Sequence, residues 1–259
     1  MNRATQRIWL TGASSGIGQA LAIELLQQGH QLALSARRTE PLQALAERFP
    51  GQVLIAAGDL TSIEQVRRIG SRISQAWGAL DTVILNAGNC EYVEARHFEA
   101  AMIERVLRAN LLSAAYCIEA ALPLLRQGTK PHLVAVGSSV TYLPLPRSAA
   151  YGASKAGLRY LMESLRLDLA SEGIAVTLVS PGFVDTPLTQ KNDFPMPMRW
   201  PAARAARLIA RRLPRQPYEI AFPLPFICSL RLLGAMPLCL QVAIGKRLAR
   251  SPAPEEANP

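Results

Sequence analysis

Metal-binding and disulfide chemistry have little to work with in this chain. Its four cysteines, Cys90, Cys117, Cys228 and Cys239, form no CxxC pair, and the three histidines, His30, His97 and His132, are scattered. No metal-ligand spacing results, so no metal site is expected and the cysteines read as idle or buried thiols of a reducing compartment. A secretory leader is not expected either, because the apolar stretch from Ile8 is broken within a few residues by Thr11 and Gly12. No internal repeat or low-complexity block is visible, apart from the closing "SPAPEEANP" over 251–259, whose Pro, Ala and Glu content reads as disordered. What is left is a cytoplasmic globular protein with a substantial core: 49% of the 259 residues are hydrophobic and 18% charged.

Short apolar runs alternate with helical periodicity along most of the chain. "RIWL", "QLALSAR", "QVLIAAGDL", "DTVILNAG", "HLVAVGSS", "IAVTLVSPG" and "YEIAF" read as strands. Between them lie helical segments such as "QALAIELLQQG", "EPLQALAERF", "SIEQVRRIGSRISQAWG" and "YGASKAGLRYLMESLRLDLASEG". The span from Phe98 to Arg126 reads as two helices. Such alternation predicts an α/β fold, a Rossmann-like doubly wound parallel sheet of about seven strands with helices on both faces. One domain is expected over residues 1–222, with a proline-rich, apolar substrate lid over about 183–200, followed by an apolar basic extension over 223–250.

The first strand-to-helix turn, "TGASSGIG", holds Gly12, Gly16 and Gly18. Glycine there permits a sharp turn and lets a pyrophosphate approach the helix N-terminus, whose free N–H groups favour an anion. The spacing is GxxxGxG rather than GxGxxG, so the position carries more weight than the pattern. Further on, Tyr151 and Lys155 stand four residues apart and share a helix face. A phenol titrates near about pH 10, and a neighbouring ammonium favours its anion. Alone, such a pair is most often a solvated helix face.

Taken together, "TGASSGIG", "NAG" at 86–88, a serine ahead of "YxxxK", and "PG" after the sixth strand resemble the short-chain dehydrogenase/reductase family. The likeness runs from about residue 7 to 187, and the ordered set is far more specific than any one motif. It implies Tyr151 as general acid/base, Lys155 as the charge that tunes it and holds the nicotinamide ribose, and a serine that polarises the substrate oxygen. Ungapped counting places that serine at Ser138; Ser139 serves if the following loop is one residue short. The two should point to opposite faces of the strand end, so only one is available. Asn110, in "RVLRANLL", matches the family's helix asparagine and is expected to hold a water of the proton relay.

Cofactor contacts are implied at Gly12, Ser14, Ser15, Gly16, Ile17 and Gly18, at Asp59 and Leu60, at Asn86, Ala87 and Gly88, and at Pro181, Gly182, Val184 and Thr186. Leu85 stands where the family often has a first asparagine. At the end of the second strand, where an acid would bind an adenosine 2′-hydroxyl, the chain has Ala36 followed by Arg37 and Arg38. Guanidinium groups match a 2′-phosphate, which predicts NADP(H). The implied reaction is hydride transfer between NADP(H) and a carbonyl or secondary alcohol, with a hydrophobic ketone reduced by NADPH. A non-catalytic NADP(H) sensor and a membrane-associated scaffold on the same fold are the alternatives. A homodimer or homotetramer is implied by the resemblance, and no nucleic-acid partner.

Residues 199–250 hold nine arginines and Lys246 against a single acid, Glu219, which equals the whole chain's net charge of +9. The apolar stretch "FPLPFICSLRLLGAMPLCLQVAIG" is interrupted by Arg231, Gln241 and three prolines. A spanning helix needs roughly 20 uninterrupted apolar residues, so transmembrane passage is not expected. Two readings stay open. Either the extension packs on its own domain or on a partner subunit, or residues 226–248 lie in a membrane interface at the inner face of the membrane. In the second reading Arg231, Lys246, Arg247 and Arg250 would meet anionic headgroups.

Overall fold

The computed structural model of the chain describes residues 5–248; the tail over 251–259 and Arg250 lie outside the described residues. The strands are β1 (Arg7–Thr11), β2 (Gln31–Ser35), β3 (Val53–Ile55), β4 (Thr82–Leu85), β5 (His132–Val136), β6 (Ala175–Pro181), β7 (Val184–Asp185), β8 (Trp200–Pro201) and β9 (Glu219–Phe222). Seven of them form one parallel sheet in the order β3-β2-β1-β4-β5-β6-β9. This is the expected Rossmann-like architecture. The order reverses between β1 and β4, which opens a crevice at the carboxyl ends of the strands, where ligands of such sheets sit.

The helices are α1 (Gly16–Gln27), α2 (Glu40–Arg48), α3 (Ile63–Trp77), α4 (Ala100–Leu107), α5 (Ser113–Leu125), α6 (Ala149–Asp168), α7 (Ala202–Arg212), α8 (Leu224–Gly234) and α9 (Leu238–Leu248). Strand alternation feeds two cores, as the pleat requires. Ile8 and Leu10 of β1 join α1, α2 and α7 on one face, while Trp9 joins α3, α5 and α6 on the other. The helix ends follow local chemistry. Ser62 caps α3 by accepting from the Gln65 N–H at 3.3 Å, and Gly78 closes it in the left-handed conformation at φ 68°.

The span 98–126 holds the two helical stretches expected, α4 and α5, joined through a widened turn over residues 108–112. Such a turn inserts an extra residue without ending the helix, and here it buries Asn110 completely. Arg231, which one of the two open readings set against anionic headgroups, has a partner within the chain. Its guanidinium pairs with Glu219 at 2.5 Å and lies 4.8 Å over the Tyr142 ring. Arg159, Ser180 and the Tyr142 hydroxyl converge on the same carboxylate, which holds its pKa below the usual range despite partial burial. This cluster, with buried Ile227 and Leu230, ties α8 to the sheet edge. No helix among the described residues is long and apolar enough to cross a membrane.

Candidate active site

The turn after β1 is built by close approach. Gly12 has φ 68° and Gly16 φ 57°, backbone that favours glycine. A Cβ on Gly12 would stand 2.8 Å from the Ala87 Cα. Thr11 locks the same region: its Oγ1 accepts from the backbone N–H groups of Asn86 (2.9 Å) and Ala87 (3.1 Å). The Asn86 amide returns two bonds, to the Thr11 and Gly12 carbonyls, each at 3.1 Å. The β1 turn and the end of β4 therefore move as one unit. Thr11 was visible as the first residue of "TGASSGIG" but its part as the clasp depends on β1 lying beside β4.

Around this turn opens a cleft of about 890 Å³. Ser14, Ser15, Gly16 and Ile17 line it at the N-terminus of α1, where no acidic side chain stands in the first turn. Arg37 and Arg38 line it at the end of β2, both exposed and neither in an ion pair among the described residues. Asp59 and Leu60 follow β3, and Asn86, Ala87 and Gly88 follow β4. Pro181, Gly182, Val184 and Thr186 close the far side. Two expected residues stand behind the lining. A Cβ on Gly18 would fall 2.2 Å from the Gly12 carbonyl oxygen, so Gly18 sets the packing of α1 against the turn. Asn110 is likewise set back, as its complete burial requires.

The reactive end of the cleft combines the start of α6 with the end of β5. Tyr151 and Lys155 line it together with Ser138. Ser138 stands close enough to the Tyr151 phenol to favour its anion, whereas Ser139 is buried and does not line the cleft. Burial dominates the titration here. It pushes the Tyr151 phenol up to about 12 and the Lys155 ammonium down to about 8. The expectation that Lys155 lowers the tyrosine is not met in this arrangement, because Lys155 Nζ donates to the Val136 carbonyl at 2.8 Å and lies 5.9 Å from the Tyr151 ring centre.

The Asn110 side chain is engaged by protein partners. Its Nδ2 donates to the Asn89 carbonyl and to Ser154 Oγ, both at 2.8 Å, and its Oδ1 accepts from the Asn89 N–H at 2.6 Å. The amide is a brace between α6 and the loop after β4. Ser154 Oγ in turn donates to the Tyr151 carbonyl at 2.7 Å, so the brace reaches the first turn of α6.

An aromatic wall went unread in the sequence. Tyr92, Phe194, Phe183 and Phe226 form a chain of ring contacts 5.5–6.0 Å apart. Phe183 and Phe194 belong to the expected lid, whose ends are pinned by the β7–β8 pairing of Val184 with Trp200. Tyr92 reaches the lid through a hydrogen bond to Asn192. Arg147 lies 5.3 Å over the Tyr92 ring and pairs with Glu94 and with Asp193 of the lid. These rings are far apart in sequence, so no spacing pattern announces them. Cys90 joins them: burial pushes its thiol up, and it stands within electrostatic reach of Lys155.

Comparison with known proteins agrees with this geometry. The profile of the family described as short chain dehydrogenase matches residues 6–195. An uncharacterized oxidoreductase of Myxococcus xanthus (strain DK1622) is 34% identical over 247 residues, covering 92% of this chain and 96% of that one. A short-chain dehydrogenase/reductase of Burkholderia phymatum, solved in complex with NAD, superposes with a TM-score of 0.81 at 20% identity, covering 90% of this chain and 94% of that one. An alcohol dehydrogenase of the archaeon Thermococcus sibiricus, solved with 5-hydroxy-NADP, gives 0.76 at 24% identity, covering 85% and 96%. The two structures share the fold and carry different nicotinamide dinucleotides.

Proposed function

Because the chain belongs to the short-chain dehydrogenase family and is a nicotinamide-dependent oxidoreductase, we propose that it reduces a hydrophobic ketone with NADPH. The observation that carries this reading is one cleft that joins Ser138, Tyr151 and Lys155 to the glycine turn and to Arg37 and Arg38. The cleft fits a dinucleotide. Its floor at Gly12 has no room for a side chain, and the N–H groups at the start of α1 suit a pyrophosphate. Arg37 and Arg38 suit a 2′-phosphate and leave no carboxylate at the end of β2 to favour a free hydroxyl.

When bound, the nicotinamide supplies the hydride or accepts it. The chain's own residues handle the oxygen. Ser138 donates a hydrogen bond to the carbonyl oxygen, and Tyr151 delivers the proton. The phenol is protonated at neutral pH, the state a proton donor needs. Lys155, mostly cationic at pH 7 with its pKa at about 8, would hold the nicotinamide ribose. The aromatic wall and the lid with its Phe194 and Phe183 suit an apolar substrate body. A homodimer or homotetramer completes the reading; exposed Tyr160 and Leu167 on α6 suit a helix-to-helix contact.

Turnover of a panel of hydrophobic ketones with NADPH and with NADH tests the proposal. Arg37→Ala should weaken NADPH and spare NADH. Equal loss with both cofactors overturns the 2′-phosphate assignment, and no turnover of any ketone overturns the reductase reading.

A further inference from the structure

In a surface helix of a soluble protein the outward stripe is polar. On α8 it is not. Ile227 and Leu230 point inward and are buried, yet Leu224, Cys228 and Leu232, spaced four apart on the opposite face, are exposed, with 64% of Leu224 and 70% of Leu232 open to solvent. Beyond the Met236-Pro237 turn, α9 repeats the pattern. Leu238, Leu240 and Val242 are exposed, Leu238 at 73%, and Lys246 follows Leu238 and Val242 at intervals of four. The ties of α9 include Gln241 Nε2 donating to the Gly234 and Met236 carbonyls, bonds that hold it to its own turn. Two helices of 11 residues, each about 16 Å long, thus present apolar side chains that none of the described residues covers.

The charge around this face selects its occupant. From Ile220 to Leu248 the chain has no acidic residue, while Arg231, Lys246 and Arg247 are basic. Arg231 is neutralised by Glu219, which leaves Lys246 and Arg247, both exposed, at the end of α9. A second copy of the chain meeting this face about a twofold axis would bring like charge against like charge. A surface that is apolar with an anionic rim complements it. We propose that α8 and α9 lie in the interface of an anionic membrane, with Leu224, Leu232, Leu238 and Val242 inserted and Lys246 and Arg247 at the headgroups. Short paired helices that rest in the interface need no spanning length.

The inner side of α8 gives this docking a consequence for the proposed reductase, on which this part rests. Phe226 packs on Phe183 at 5.5 Å, and a Cβ on Gly182 would stand 2.9 Å from its ring. One helix would therefore rest on the membrane by its outer side while its inner side packs against Phe183 and against Gly182, which lines the cleft. A lipid-soluble ketone would reach the cleft from the bilayer without crossing water.

Flotation of the full chain with phosphatidylcholine vesicles, with and without phosphatidylglycerol, tests the proposal. Binding is expected to vesicles containing phosphatidylglycerol at low salt. It should be lost in Leu238→Glu/Val242→Glu and reduced roughly fivefold by each of Lys246→Ala and Arg247→Ala. Turnover of a water-soluble ketone should stay unchanged in these variants, and that measurement separates failure of docking from failure of the reductase reading. No binding by the intact chain at low salt, or full binding by Leu238→Glu/Val242→Glu, overturns it. A drop in subunit number caused by that double substitution, measured by light scattering without vesicles, assigns the face to a second copy and overturns it as well.

Discussion

Replacing Asn110 by alanine removes a buried amide that makes three hydrogen bonds of 2.6–2.8 Å to Asn89 and Ser154. Each such bond contributes about 1 kcal/mol net, and a partner left unsatisfied in the interior costs about 1–3 kcal/mol. Asn110 is wholly shielded from solvent, so a loss of about 3–5 kcal/mol follows. For a chain of this size about 2 °C of melting temperature is lost per kcal/mol, so the midpoint should fall by roughly 6–10 °C. The functional effect comes through Gly88, where a Cβ would stand 3.0 Å from Asn110 Oδ1 and 3.4 Å from Lys155 Nζ. Freeing the loop after β4 shifts the floor beside Lys155, and a misplacement of about 1 Å costs on the order of 10²-fold in turnover. Asn110→Asp should be no rescue, because a carboxylate has no hydrogen to donate to the Asn89 carbonyl. Thermal unfolding by fluorescence and steady-state turnover with NADPH measure both effects. A variant melting within about 1 °C of the parent with intact turnover would refute the brace.

Tyr151→Phe should keep NADPH binding and lose about two to four decades of turnover, the usual worth of a positioned acid/base; near-full activity would remove Tyr151 from the chemistry. His132 is buried in β5, its Nε2 2.7 Å from Thr177 Oγ1, and burial pushes its pKa down to about 4. In the unfolded chain it binds a proton near about pH 6.5, so the unfolded state holds more protons between the two values. Stability should therefore be untouched above about 6.5 and fall by about 3 kcal/mol as pH drops to about 4. Urea unfolding across that window checks it, and an unchanged acid slope in His132→Leu would contradict the assignment. Size-exclusion chromatography with light scattering should return a dimer or tetramer at micromolar concentration; a monomer would refute the oligomer reading.

The seven-stranded sheet was legible because strand and helix periodicities are local, and each apolar run carries its own geometry. The glycine turn and the Tyr151–Lys155 pair were legible for the same reason: both lie within one turn or one helix. What folding alone decided rests on contacts between distant segments. Ser138 and Ser139 are adjacent in sequence, yet only Ser138 lines the cleft, because the backbone after β5 turns one hydroxyl outward and buries the other. Gly18 and Asn110 read as site residues by pattern; only the fold shows that the first also packs α1 against the turn and that the second braces a loop 21 residues away. Burial, which no spacing encodes, moved Tyr151 up and Lys155 down. Arg231 belonged by sequence to a basic tail; its partner Glu219 enters only once β9 has joined the sheet edge and α8 has folded back across it. The composition of the α8–α9 segment sufficed to show that it is apolar and basic. Which of its side chains pack inward and which face outward was set by the packing of one helix stripe against the sheet edge, since apolar residues stand on both faces of α8.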